Sequence, residues 1–287
     1  MITYFQAIVI GLLQGVSELF PVSSLGHSVI LPRLLGWNIH QQDPFFLTFL
    51  VATHLATAIV LVGFFWKDWV KIVKGMGRSL VEREVKPSNH YAKLGWLLMV
   101  GTIPAGILGL LLEEPLRAVF ASATSAAFFL MLNGLLLYGA ELLRRRAPKT
   151  ADSGDSDVRL SKVSWAKSFG IGAIQAIALI PGFSRSGATM GGGLLVGLSN
   201  EDAARFSFLM ATPIIAAAAI LKVPDLFKPE NSSLLGPAIV GALCAGVTAY
   251  LSVKFLMRYF ETNRLTPFAI YCVSAGALLS LYFLIFG

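Results

Sequence analysis

Apolar residues come in long runs along this chain, and two of the runs are interrupted where the others are not. The runs are 3–31, 45–66, 94–112, 119–143, 165–198, 204–221, 234–257 and 266–286. A hydrocarbon layer ~30 Å thick needs about 20 apolar helical residues, and six of the runs fit that length as single helices. The first and fifth are longer. Near its middle the first carries Gln14-Gly15-Val16-Ser17-Glu18-Leu19-Phe20-Pro21-Val22-Ser23-Ser24-Leu25-Gly26-His27, and the fifth carries Pro181-Gly182-Phe183-Ser184-Arg185-Ser186-Gly187-Ala188-Thr189. Apolar segments broken at corresponding places in two halves predict an internal repeat, with broken or re-entrant helices at a binding site. Each half reads as one broken hairpin followed by three spans. The expected architecture is a single all-α polytopic membrane domain over 1–287, with halves of about 1–143 and 165–287 joined by a surface linker, 144–164.

Composition agrees with this class. The chain is 55% hydrophobic and 14% charged, with a mean hydropathy of +0.71, too little charge to cover a soluble surface. Cys244 and Cys272 lie in apolar runs without a CxxC partner and read as small buried side chains. The charges are uneven, which orients the spans. If the broken runs re-enter, loops 67–93 and 144–167 share one face with Arg205, Lys254, Arg258 and Arg264. The opposite face keeps Arg33, Arg117, Lys222 and Lys228. The first face is then cytoplasmic and both termini are outside. No basic stretch precedes the first run, so a cleaved signal peptide is not expected. The net charge of +7 follows from this bias and from anionic lipid, and implies no nucleic-acid partner.

The two interruptions carry the candidate chemistry, because charged groups at membrane depth persist only where they face a polar cavity. Gln14 and Glu18 are four apart and share a helix face, which Ala7 and Gly11 extend with small residues. Pro21 ends the helix. Ser23 and Ser24 are suited to cap a new one, and His27 follows Ser24 by three. Ser24 and His27 are thus expected to meet at a helix N-terminus that attracts an anion, as nucleophile and base. Arg185 is the lone charge between Lys167 and Glu201, and its planar fork suits phosphate oxygens. Ser184, Ser186 and Thr189 can donate beside it, and Gly191-Gly192-Gly193 allow close backbone approach. A second role for Arg185, pairing with Glu18 to hold the halves together, is compatible with the first. His54 reads as a packing or supporting group, and Lys254 and Arg258 as snorkelling to the interface. His40, His90, Glu113 and Glu114 read as solvated. No Walker A loop, GxSxG elbow or zinc ligand set is present.

Gln14-x-x-x-Glu18 with Pro21-Val22-Ser23-Ser24-x-Gly26-His27, followed by Pro181-Gly182-Phe183-Ser184-Arg185-Ser186-Gly187-Ala188-Thr189, resembles the bacterial undecaprenyl-diphosphate phosphatases, the bacitracin-resistance family. The run pattern is similar over essentially the whole chain. Two positions depart from the family pattern: Leu25 stands where a small or hydroxyl residue is frequent, and Leu50 where an acidic residue is common. The resemblance implies six transmembrane helices plus two re-entrant hairpins in an inverted repeat, in the bacterial inner membrane. It implies hydrolysis of undecaprenyl diphosphate to undecaprenyl phosphate and phosphate on the outer side, which recycles the lipid carrier for cell-wall synthesis. It also implies catalytic roles for Glu18, Ser24, His27 and Arg185. Substrate contacts are expected from Gln14, Ser23, Gly26, Ser184, Ser186 and Thr189. A divalent cation, Mg²⁺ or Ca²⁺, is expected at Glu18. The partners are the polyprenyl diphosphate and membrane lipid, with a homodimer as a compatible assembly. The nucleophile stays open between Ser24, His27 and water. The rival reading is a transporter of a phosphorylated polyprenyl lipid, since broken-helix repeats are transporter architecture; a third is a lipid-phosphate transferase. Ser24 with His27 favours the enzyme, because transport needs no nucleophile.

Overall fold

A computed structural model describes residues 2–39, 44–120, 122–146 and 155–286, with backbone alone at 44, 45, 113–120, 146 and 230. The expectations for His40, for the side chains of Glu113, Glu114 and Arg117, and for linker residues 147–154 lie outside these. Every regular element among the described residues is helical: α1 (Tyr4–Ser17), α2 (Ser24–Leu34), α3 (Pro44–Phe64), α4 (Trp66–Glu82), α5 (His90–Phe120), α6 (Ala123–Arg146), α7 (Ser156–Ser161), α8 (Trp165–Gln175), α9 (Arg185–Leu195), α10 (Asn200–Lys222), α11 (Ser232–Phe260) and α12 (Thr266–Phe286). Six of these, α3, α5, α6, α10, α11 and α12, are long and apolar enough to cross a membrane.

Both broken runs fold as two short helices around the break, and caps set their limits. Thr3 opens α1 with a reciprocal capping box to Gln6. Ser23, Ser164 and Ser184 cap α2, α8 and α9, each accepting a backbone N–H three residues on. The chain turns back at each break. Phe5 at the start of α1 lies edge-on to Trp37 beyond the end of α2, and Lys167 at the start of α8 donates to the Val196 carbonyl at the end of α9 (3.0 Å).

The two halves pack alike. α1 lies on α11 and α8 on α5, α3 meets α11 and α10 meets α5, and α6 pairs with α12 as α3 pairs with α10. Small residues permit the closest approaches in matching places. A side chain at Gly11 would collide with the Gly241 backbone, and one at Gly172 with the Gly101 backbone. Helices α3 and α10, which pack on one another, carry related sequence, Thr48-Phe49-Leu50-Val51-Ala52-Thr53 in one and Ser207-Phe208-Leu209-Met210-Ala211-Thr212 in the other.

Ion pairs gather one end of the bundle. Arg205 of α10 reaches Asp68 of α4 (2.9 Å) and Asp157 of α7 (2.8 Å). Arg159 reaches Asp202 (2.7 Å), and Arg144 donates to the Leu198 carbonyl (2.8 Å). This end holds the cation-rich loops that the sequence groups together. Two elements here differ from the sequence expectation. Residues 156–161 are a docked helix with Asp157 and Leu160 buried, because their charges find partners on α10. Helix α4 has no counterpart among the apolar runs, since charged residues recur along one side of it.

Candidate active site

The two interruptions meet between the half-helices. Glu18 ends α1 with a side chain only 4% exposed, and three donors converge on it. Ser24 Oγ donates to Oε2 at 2.5 Å, His54 Nε2 stands 3.0 Å from the same oxygen, and Arg185 Nε donates to Oε1 at 3.0 Å. His54 Nδ1 lies 2.6 Å from the Leu50 carbonyl. Both nitrogens of His54 therefore face acceptors, a setting that an imidazolium satisfies and a neutral ring does not. With Arg185 this gives the cluster two cationic groups against one carboxylate, a balance suited to an anionic ligand.

Two buried donors remain unspent. Arg185 Nη2 and Gln14 Nε2 have no hydrogen-bond partner among the described residues. Buried polar groups are nearly always paired, so both are candidates to receive an anionic oxygen. The other Gln14 amide atom is held, since Thr57 Oγ1 donates to Oε1 (3.1 Å).

Ser24 and His27 do not meet, which corrects the expectation drawn from their spacing. Ser23, not Ser24, is the helix cap, with a positive φ of 70° and its Oγ accepting from Gly26 N. His27 points back along the helix, as helical side chains do. Its Nδ1 donates to the Ser23 carbonyl (2.7 Å), and Nε2 lies 2.7 Å from the Tyr271 hydroxyl. The rings of His27 and Tyr271 stack at 5.8 Å. With Nδ1 donating, Nε2 is left to accept the Tyr271 proton, which fits a neutral ring.

In the second interruption the hydroxyls are engaged within the protein. Ser184 Oγ caps α9 and lies 3.0 Å from Ser186 Oγ. Ser186 donates to the Phe20 carbonyl (3.0 Å), and Thr189 bonds back to Arg185 O and across to Ser207. Asn133 of α6 ties the two breaks together: its amide donates to Pro21 O (3.0 Å) and its carbonyl accepts from Ser184 N (3.1 Å). The first turn of α2 meets the second break where Gly26 faces Gly182. Asn133, His54, Thr57, Ser207 and Tyr271 were not placed in the site from sequence. A lone Asn in an apolar run is a signal for Asn133; Tyr271 carries none.

The cation that the resemblance implies does not fit a resident protein site. The Glu18 oxygens already take three donors, and two of the donors are cationic or suited to be. Among the described residues no three His, Cys, Asp or Glu side chains come together to hold a metal, whereas Mg²⁺ and Ca²⁺ require several oxygen ligands. Leu50, at the position where an acidic residue is common in the family, is buried in an apolar cluster with Phe46, Phe49 and Ile10.

These features define a multi-pass helical membrane protein with a buried serine and carboxylate and a half-buried arginine between two broken helices. The family model described as bacitracin resistance protein BacA matches residues 7–278, and the chain belongs to that family. It is 47% identical over 293 residues to a Mycolicibacterium paratuberculosis protein named undecaprenyl-diphosphatase, covering 96% of this chain and 95% of that one. A Chromobacterium violaceum protein named undecaprenyl-diphosphatase 2 is 48% identical over 275 residues, covering 94% and 95% of the two chains. A Frankia alni protein of the same name is 41% identical over 341 residues, covering 99% of each.

Proposed function

We propose that this protein hydrolyses undecaprenyl diphosphate to undecaprenyl phosphate and inorganic phosphate. The observation that carries the reading is the Ser24–Glu18–Arg185 arrangement: a hydroxyl donating to a buried carboxylate at 2.5 Å, beside a guanidinium with one donor unspent. Family membership and relatives named for this activity support it.

Arg185 Nη2 and Gln14 Nε2 bind oxygens of the diphosphate. Ser24 Oγ attacks the terminal phosphorus, its proton passes to Glu18, and the bond to the bridging oxygen breaks to release undecaprenyl phosphate. Water then cleaves the phosphoserine, giving phosphate and restoring Ser24. His54 and Arg185 fix the Glu18 carboxylate against Ser24, so little reorganisation is needed. His27 lies at the rim, where its partner Tyr271 is 44% exposed, and it acts on the water or the departing oxygen. Ser23, Gly26, Ser184, Ser186 and Thr189 shape the pocket through caps and close contacts. A divalent cation, Mg²⁺ or Ca²⁺, would take its ligands chiefly from the diphosphate itself.

The same reading makes α1–α2 and α8–α9 re-entrant hairpins in a single domain of two inverted repeats. The matched packing of the halves and the turned-back chain support this. We place the protein in the bacterial inner membrane, with the cation-rich end cytoplasmic, both termini outside and the site opening outward. A homodimer is compatible but not required, since one chain supplies every residue named.

The test is phosphate release from undecaprenyl diphosphate by purified protein, with and without chelator. No release in the presence of Mg²⁺ or Ca²⁺ would reject the phosphatase. For topology, Thr3→Cys and Gly287→Cys should label from the outside; labelling of either only from the cytoplasm would reject re-entry.

A further inference from the structure

Helix α4 has three faces, and two of them are turned away from the protein. One face, Ile72, Gly75 and Ser79, is buried against the first turns of α5, where Trp96 Nε1 donates to Ser79 Oγ (2.9 Å) and Asn89 donates to the Gly75 carbonyl (3.3 Å). A second face is apolar and exposed: Trp66 at 59%, Val73 at 62% and Leu80 at 63%, with Val81 beside them at 85%. Their seven-residue spacing keeps them in one stripe. The third is cationic: Lys67, Lys71, Lys74 and Arg78. At 3.6 residues per turn the three stripes lie about 120° apart.

The chain fixes where this helix sits. A single residue, Phe65, separates α4 from the end of α3, and α5 begins at His90. Both neighbours are long and apolar enough to cross a membrane, and as consecutive spans they tie both ends of α4 to the same end of the bundle. Its 17 residues cannot leave the membrane surface. A helix held there, with an apolar stripe beside a basic one, is built to lie in the interface with its apolar side in the acyl boundary.

We propose that α4 docks on anionic phospholipid: Trp66, Val73 and Leu80 enter the acyl boundary while Lys67, Lys74 and Arg78 collect anionic headgroups. Lys71 is the stripe's tie to the protein, donating to the Tyr91 hydroxyl at 2.9 Å. The occupant is argued from charge. The stripe and the following Arg83 and Lys86 outnumber the acids here: Asp68, which is paired with Arg205, Glu82, which is paired with Arg78 and Lys86, and Glu84. This inference does not depend on the chemistry at Ser24.

Trp66 is the probe. The full chain is placed in nanodiscs of phosphatidylcholine and phosphatidylglycerol in which one lipid or the other is brominated. The Trp66 signal is the difference between the natural chain and Trp66→Phe. Quenching of that signal is expected, stronger from brominated phosphatidylglycerol, with enrichment of roughly fivefold per engaged cation. The triple variant Lys67→Gln, Lys74→Gln, Arg78→Gln should keep the quenching and lose the headgroup preference, and high salt should erode that preference in the natural chain. Trp66 unquenched by either lipid would mean that something else, such as a protein partner, covers the stripe. Equal quenching by both lipids would mean an apolar anchor without anion recognition. Either result overturns the proposal.

Discussion

Tyr271 holds His27 at the one ring nitrogen that the backbone leaves open, with hydroxyl and Nε2 2.7 Å apart across 244 residues of chain. The Ser23 carbonyl takes the other nitrogen, so the ring is fixed in place and in tautomer. If His27 assists hydrolysis, this contact sets its readiness.

Tyr271→Phe keeps the stacked ring and removes only the hydroxyl. Turnover should fall about twofold to tenfold, the worth of one neutral hydrogen bond, with an altered pH profile of kcat. His27→Ala should fall further, by about 10²–10⁴ if it transfers a proton. Wild-type rates for Tyr271→Phe at every pH would show the pair to be packing alone.

Arg185→Lys keeps the charge but loses the fork that both binds Glu18 Oε1 and presents Nη2. Activity should drop by at least tenfold while the protein still inserts and folds, read by phosphate release and thermal unfolding side by side. Near wild-type turnover would reduce Arg185 to an ion-pair partner of Glu18.

The interruptions were legible because Pro, Gly and charge inside apolar runs have few tolerable explanations. The same signals place Glu18, Ser24 and Arg185 in one site. His27 is misplaced by its three-residue spacing from Ser24: both residues lie in α2, but Ser24 Oγ reaches back across the break to Glu18. Ser24 is the first residue of α2, and the His27 ring turns back to the carbonyl of Ser23. The partner of Ser24 lay six residues before it, across the break, where no periodicity reaches. His54 was visible as a lone ionisable group in a span, yet its link to Glu18 depends on how α3 packs beside α1. Helix α4 was hidden because its apolar residues fill only one side and alternate with charged ones, so they form no continuous apolar run.

Arg205 bridges two acidic residues on separate elements, Asp68 on α4 and Asp157 on α7, with its guanidinium 5.5 Å from the Phe65 ring. Arg205→Ala would leave Asp157, whose side chain is 6% exposed, without that cation. Breaking a buried pair costs about 3–5 kcal/mol, and the lower end applies because Asp68 keeps more water. The unfolding midpoint should fall by several degrees while diphosphate binding is retained. An unchanged midpoint would remove Arg205 from the list of ties at this end.

The sharpest division is between Glu18 and His27 as the base for Ser24. The geometry pairs Ser24 with Glu18, so Ser24→Ala and Glu18→Gln should each depress hydrolysis by about 10²–10⁴. Residues acting as one unit are strongly non-additive, so the double variant should be hardly worse than the poorer single one. Ser24→Ala should still bind the lipid diphosphate through Arg185. Phosphoryl-Ser24 should be trapped on rapid quenching of the natural enzyme, and should form slowly in Glu18→Gln. His27→Ala, acting outside the pair, should form it at close to the normal rate and release phosphate slowly. Single-turnover quenching with mass analysis of the Ser24 peptide reads all of these. If His27→Ala abolishes phosphoryl-Ser24 while Glu18→Gln forms it normally, His27 is the base, and the arrangement around Glu18 serves only to hold the halves together.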